Sequence, residues 1–125
     1  LTELDVLVCL LPLTDDTKHI LNRQLFKSLP DHSFVINVAR GDHLNEQDLL
    51  IALEEGHIAG AALDVFSQEP LPENHPFWQN PQIIITPHCA ALTQIKTVCE
   101  QIADNVRAQQ DNKPLNNVVC AKRGY

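Results

Sequence analysis

The sequence predicts an α/β fold, a doubly wound parallel sheet, and three observations carry that expectation. Short apolar runs bounded by turn residues alternate with stretches of helical period. The links between them are short, and strand–helix–strand units joined by short links build parallel, right-handed sheets. Neither an internal repeat nor a low-complexity tract interrupts the alternation.

Residues 5–11 form a near-continuous apolar run ended by Pro12, which suits a strand buried on both faces. Residues 14–29 follow with Ile20, Leu21, Leu25, Phe26 and Leu29 at helical spacing; Thr14, Asp15 and Asp16 supply helix-start chemistry, and Pro30 and Asp31 close the segment. A second buried strand over 33–39 leads into Arg40 and Gly41. An amphipathic helix over 45–55 takes Asn45 as N-cap and acids in its first turn, and Gly56 stands where a left-handed glycine ends a helix. Small residues in a third strand, 59–66, leave room for a helix to lie close. Beyond a loop carrying Pro70, Pro72, Pro76 and Pro81, a fourth strand over 82–86 ends at Pro87 and His88. The last helix, 93–110, aligns Ile95, Val98, Cys99, Ile102 and Val106 in one stripe.

With 125 residues and 44% apolar content, the chain can bury a core of ordinary size. Nine basic against 16 acidic residues give a net charge of −7, which argues against nucleic acid or an anionic membrane as partner. No apolar run is long enough for a bilayer, and the opening residues lack the basic start and cleavage site of a signal peptide. The four cysteines, Cys9, Cys89, Cys99 and Cys120, show no C-x-x-C spacing and fit free thiols in a reduced cytoplasm rather than disulfides or a metal site. The chain starts at Leu1 and contains no Met, so a longer parent is expected.

In a sheet of this kind ligands gather at the carboxyl ends of the strands, and Arg40, Glu69 and His88 follow strand ends. A guanidinium there, beside a glycine that permits close approach, suits bidentate capture of a carboxylate; a surface Arg that caps the next helix or pairs with Asp42 or Glu46 is the other reading. His88 is a side chain able to exchange a proton near neutrality, while His19, His32, His43, His57 and His75 stand in polar contexts that suit structural roles. Cys89 is no thiol partner for His88, since neighbours in extended chain point opposite ways. Glu69 is either a solvated loop acid or the carboxylate that fixes the tautomer of an imidazole and favours its charged form. Asp64, inside an apolar strand, must accept a hydrogen bond from a ligand or the backbone.

Three ordered segments, Asn37-Val-Ala-Arg-Gly41, Ala61-Ala-Leu-Asp-Val-Phe66 with Glu69-Pro70, and Thr86-Pro-His-Cys-Ala90, resemble the D-isomer-specific 2-hydroxyacid dehydrogenases. The similarity runs from Asp5 to about Gln110, and the loop Pro72–Trp78 with the terminal Arg123-Gly-Tyr125 is similar to the glyoxylate/hydroxypyruvate reductase A type. The resemblance implies the C-terminal half of a Rossmann-type dinucleotide-binding domain over 1–92. The helix and tail, 93–125, would return to a substrate domain outside this chain.

By the same resemblance, the activity is hydride transfer between NADP or NAD and a small 2-oxo acid, glyoxylate or hydroxypyruvate, in a cytoplasmic homodimer. Arg40 would bind the substrate, His88 would be the general acid, and Glu69 would be its charge partner. Leu11, Pro12, Val38, Ala39, Arg40, Asp64, His88, Ala90 and Ala91 would line the cofactor site. Glu69 favours carbon–oxygen redox chemistry over the formate dehydrogenase branch, which lacks an acid in this role. The glycines, Gly41, Gly56, Gly60 and Gly124, form no G-x-G-x-x-G, so the phosphate loop and the residue separating NADP from NAD are expected upstream. The alternative within the family is a dinucleotide-sensing corepressor that acts through protein partners.

Overall fold

The computed structural model describes residues 3–125, and the chain divides into two units, Leu1–Ala90 and Ala91–Tyr125. Leu1 and Thr2, with which the 1–92 segment opens, lie outside the described residues. In the first unit, β1 (Val6–Cys9), β2 (Ser33–Asn37), β3 (Ile58–Leu63) and β4 (Ile83–Ile85) form one parallel sheet in chain order. The register aligns Val8, Ile36, Ala62 and Ile84 across the four strands, so one face carries these residues and the other carries Cys9, Asn37, Leu63 and Ile85.

The second face is the core side. Val35, Ala61 and Leu63 pack there with Phe26, Leu29, Leu49, Ala52 and Leu53, all buried. The helix α2 (Glu46–Glu54) supplies Leu49, Ala52 and Leu53 from one side of its cylinder, as the sequence period predicts. Asn45 caps it by accepting from the Asp48 N–H at 3.2 Å. Gly56 ends it at φ +74°, and the amides of Gly56 and His57 return to the carbonyls of Leu53 and Ala52.

Two expectations change, the first of them at β1. It is not buried on both faces among the described residues: Val6 and Val8 are 47% and 46% exposed, and Ile84 on the same face is 58% exposed. The small residues of β3 divide between its faces: Ala61 is buried in one cluster with Leu49, Ala52 and Leu53 of α2, as expected, while over Gly60 on the other face stands the Phe34 ring, 2.6 Å from where a Cβ would be.

The helix read over 14–29 also shrinks to one turn, α1 (Arg23–Phe26), capped by Asn22, which accepts from the amides of Gln24 and Leu25. The preceding residues make a different set of bonds. Thr17 Oγ1 donates to the Pro12 carbonyl at 2.7 Å, and His19 turns through φ +53°. The amides of His19 and Leu21 then donate to the carbonyls of Asp42 and His43, and Asn45 N–H returns to Leu21. Long-range backbone pairing outcompetes helix propagation in a segment rich in Thr, Asp and His, residues of modest helix propensity.

Among the histidines read as structural, His57 and His75 hold ion pairs within the fold. His57 pairs with Asp31 at 2.6 Å and reaches the Phe26 carbonyl at 2.8 Å, and His75 pairs with Glu46 at 3.3 Å. In the second unit, α3 (Ile95–Gln110) carries its apolar stripe along one side, with no buried residue among its own. The tail folds back on it through Asn105, which exchanges two hydrogen bonds with the backbone of Asn116.

Candidate active site

Because all four strands run the same way, their carboxyl ends deliver Leu10–Pro12, Val38–Arg40, Asp64 and Thr86–His88 to one edge of the sheet. Leu11 and Pro12 are exposed there, Ala39 is buried, and Val38 lies between. Ala90 closes the first unit, while Ala91 opens the second.

The loop after β2 is built on Asn37. This fully buried amide donates from Nδ2 to the Arg40 carbonyl at 2.9 Å and accepts the Ala39 N–H at 3.2 Å, folding the chain back on itself. Gly41 follows in a 3-10 turn (Gly41–His43) pressed on the loop after β3; a Cβ here would stand 1.9 Å from the Phe66 carbonyl carbon. The glycine that permits close approach therefore approaches the neighbouring loop. Arg40 is exposed, with Nη1 donating to the Ala39 carbonyl at 2.7 Å. Asp42 and Glu46, the surface partners weighed for it, pair with Lys18 and His75 instead.

Asp64 is 3% exposed, and its carboxylate is taken by internal donors: the Thr86 hydroxyl, the Cys89 N–H at 2.9 Å and the Ala90 N–H at 2.9 Å. Of the two roles left open, the backbone one is realised: Asp64 shapes the 86–90 loop. Burial opposes its charge, but the Thr86 hydrogen bond, the Ala90 and Cys89 amides and the His88 charge together hold the carboxyl below its ordinary value.

A carboxyl held low in the fold contributes stability that is present above its unfolded value and lost as pH falls through the folded one. Asp64→Asn, which turns an amide donor toward these donors, is expected to cost about 1.5–3 kcal/mol at pH 7. The difference from the parent should narrow on acidification below about pH 4. Urea unfolding at both pH values checks it.

The loop so anchored presents His88 at φ +53°, a left-handed conformation uncommon for a side chain with a Cβ. Its Nδ1 stands 2.8 Å from Glu69 Oε2, and Glu69 Oε1 accepts the Phe66 N–H at 3.0 Å. Glu69 is held below the ordinary carboxyl range by its His88 hydrogen bond first and the Phe66 amide next, against some desolvation, with the charges of His88 and Arg40 adding to the effect. Arg40, Glu69 and His88 thus come together in one electrostatic neighbourhood from three loops. A cleft of about 470 Å³, walled by Phe66, Leu71, Trp78 and Pro87, borders Glu69 and His88 but does not extend to Arg40.

Sequence reasoning missed the two groups that shape the Arg40 loop, Asn37 and His43, both fully buried. The signal for Asn37 was an amide closing the apolar run Ser33-Phe-Val-Ile-Asn37, since a polar group inside a buried strand must find partners nearby.

Residues 1–90 match the family model for the D-isomer specific 2-hydroxyacid dehydrogenase, NAD binding domain. Glyoxylate/hydroxypyruvate reductase A of Photorhabdus laumondii is 49% identical over 120 residues, covering 96% of this chain and 38% of that protein. The chain accordingly spans about 38% of the length of the curated relatives it matches.

A D-isomer specific 2-hydroxyacid dehydrogenase from Xanthobacter autotrophicus, solved with NADPH and MES, superposes with a TM-score of 0.93 at 40% identity. The match covers 97% of this chain and 50% of that one. The NADPH-dependent glyoxylate/hydroxypyruvate reductase of Sinorhizobium meliloti, solved with NADP and sulfate, gives a TM-score of 0.91 at 37% identity, over 97% of this chain and 40% of that one. With its sheet, strand-end loops and sequence all in agreement, the chain belongs to the D-isomer specific 2-hydroxyacid dehydrogenase family, residues 1–90 matching its NAD binding domain.

Proposed function

We propose that this chain supplies the reacting half of an oxidoreductase that moves a hydride reversibly between NAD(P)H and a small 2-oxo acid, with glyoxylate and hydroxypyruvate as substrates. The observation that carries the reading is the 2.8 Å contact of His88 Nδ1 with Glu69 Oε2, within reach of the Arg40 charge at the carboxyl edge of the sheet. An ionised carboxylate only accepts, so Nδ1 carries a proton toward Glu69 and Nε2 is the nitrogen left to serve a substrate. In reduction, Nε2 of His88 gives its proton to the keto oxygen; in oxidation the neutral ring takes it back. Arg40 holds the substrate carboxylate through its guanidinium.

The nicotinamide, when bound, supplies or takes the hydride. The exposed side chains of Leu11 and Pro12, with Val38, Ala39 and Arg40, suit its flat, partly apolar ring, and His88, Ala90 and Ala91 complete the lining. Asp64 would act there through the loop it anchors. NADP is favoured over NAD because relatives of this chain were solved with NADP or NADPH. The reductase names of the curated relatives weigh against a corepressor role.

Residues 1–92 would be the C-terminal half of the dinucleotide-binding domain, and 93–125 the helix and tail that pack on the substrate domain. The division of the chain after Ala90 supports this reading. A cytoplasmic homodimer with no nucleic-acid or membrane partner completes it. The four free cysteines favour a reducing compartment, and the net charge of −7 weighs against a phosphate-rich partner, while the homodimer rests on the family resemblance alone.

Glyoxylate reduction by the full-length protein with NADPH tests the activity, and no turnover of any small 2-oxo acid would overturn it. Glu69→Gln tests the mechanism. Without the carboxylate, Nδ1 of His88 loses the acceptor that fixes the ring's tautomer and orientation, so kcat for glyoxylate reduction should fall about 10- to 100-fold with the NADPH dissociation constant kept. A parent-like kcat in Glu69→Gln would leave Glu69 as a loop acid.

A further inference from the structure

We propose that His43 is a positioning residue that locks the Arg40 backbone to the loop after β1 and so sets where the guanidinium stands; the proposal rests on the reading of Arg40 as the group that binds the substrate carboxylate. His43 is fully buried, and both ring nitrogens have partners. Nε2 lies 3.2 Å from the Pro12 carbonyl, which can only accept, so the ring carries a proton on Nε2. Nδ1 lies 3.3 Å from the Arg40 amide nitrogen and 3.1 Å from the Arg40 carbonyl oxygen. That carbonyl already has donors, Asn37 Nδ2 at 2.9 Å and the His43 amide at 3.2 Å. Among the described residues, Nδ1 is the acceptor found for the Arg40 N–H, so the geometry assigns Nδ1 as the bare nitrogen.

One ring therefore bridges the segment after β1 to the segment after β2, both at the ligand-facing edge. The His43 carbonyl, accepting from Leu21 at 2.9 Å, ties in a third. Pro12 has a second anchor in the Thr17 hydroxyl, whereas the Arg40 amide depends on His43. Losing the ring releases Arg40, and a buried N–H left without its acceptor drives the loop to rearrange.

The substitutions separate the two halves of the bridge. In Asn, the side-chain oxygen stands near the place of Nδ1 and can still accept from Arg40. In Gln, the amide reaches the place of Nε2 and keeps only the Pro12 bond. Leu keeps neither. In the full-length protein, H43Q and H43L should raise the KM for glyoxylate at least tenfold with the NADPH dissociation constant, read by fluorescence, within twofold of the parent. H43N should restore KM to within about threefold. Imidazole 15N shifts of the unsubstituted protein should show His43 protonated on Nε2 and bare on Nδ1, a reading that needs no variant to fold.

A parent-like KM in H43Q and H43L, with R40A still defective, would overturn the proposal and leave the Arg40 reading standing. Equal damage in H43N and H43L, or the opposite tautomer, would overturn it as well. A parent-like KM in R40A would remove the Arg40 reading and the proposal with it.

Discussion

Replacing Arg40 with Ala in the full-length protein is expected to lower kcat/KM for glyoxylate by about 30- to 5,000-fold, the equivalent of about 2–5 kcal/mol for a charge pair lost from a desolvated site. NADPH affinity should stay near the parent value. Arg40 is exposed, its guanidinium donates to its neighbour's carbonyl, and Asp42 and Glu46 have partners elsewhere. Removing the guanidinium therefore takes away little of the fold, and the loss should fall on substrate recognition.

Electrostatics give a second mark of the same event. The Arg40 charge contributes, as the smallest of the acting causes, to holding the Glu69 carboxyl low, so the His88–Glu69 pair should survive the change. The expected pattern is a large rise in KM with the pH dependence of the rate kept. Arg40→Lys should recover only part, since an ammonium cannot form the two parallel bonds of a guanidinium. A parent-like kcat/KM in Arg40→Ala would remove Arg40 from the site.

The parts of this fold legible in the sequence were those set by local chemistry. α2 was readable because its cap, its period and its terminal glycine lie within a dozen residues and agree: Asn45, then Leu49, Ala52 and Leu53, then Gly56. The strands were readable because runs such as Ser33–Asn37 are apolar, short and bounded. The segment 14–29 misled because its periodic apolar residues are real core residues, Leu21, Phe26 and Leu29 among them, held by a chain that is mostly not helical. What decides that stretch is pairing with residues 42–45, more than twenty positions away, which no window of periodicity contains.

The same division holds at the site. Arg40, Glu69 and His88 could be picked out by type and place, each just past a strand. Their supports could not. His43 reads as a polar loop histidine until the fold brings Pro12 to it, and Asp64 is seen to serve the backbone only once Thr86, Cys89 and Ala90 surround it. The side chains we propose for the chemistry stand at positions the topology announces, while those that hold them depend on contacts distant in sequence.

Gly41→Ala should be the most damaging single methyl in the chain. A Cβ there would stand 1.9 Å from the Phe66 carbonyl carbon, 2.1 Å from its oxygen and 2.3 Å from the Ser67 nitrogen. All three are backbone atoms, so no side-chain rotation can clear the space, and one loop must move off the other. Overpacking of a well-packed interior costs about 1–3 kcal/mol, and a clash with backbone belongs at the upper end or beyond.

The consequences reach the site, because Phe66 also gives its N–H to Glu69 at 3.0 Å and Glu69 holds His88. Displacing the 66–69 segment shifts the pair relative to Arg40, and a shift on the order of 1 Å can cost about a hundredfold in rate. Gly56 provides the control. It sits at φ +74° with nothing within 4 Å of its would-be Cβ, so Gly56→Ala should cost about 1–2 kcal/mol of backbone strain. It should leave kcat and KM at parent values. The expected result is a Gly41→Ala protein that unfolds at clearly lower urea than Gly56→Ala and loses glyoxylate turnover out of proportion to the folded fraction that remains. Parent-like stability and turnover in Gly41→Ala would show that the loops after β2 and β3 do not pack against each other, and the arrangement of Arg40 beside Glu69 would fall with them.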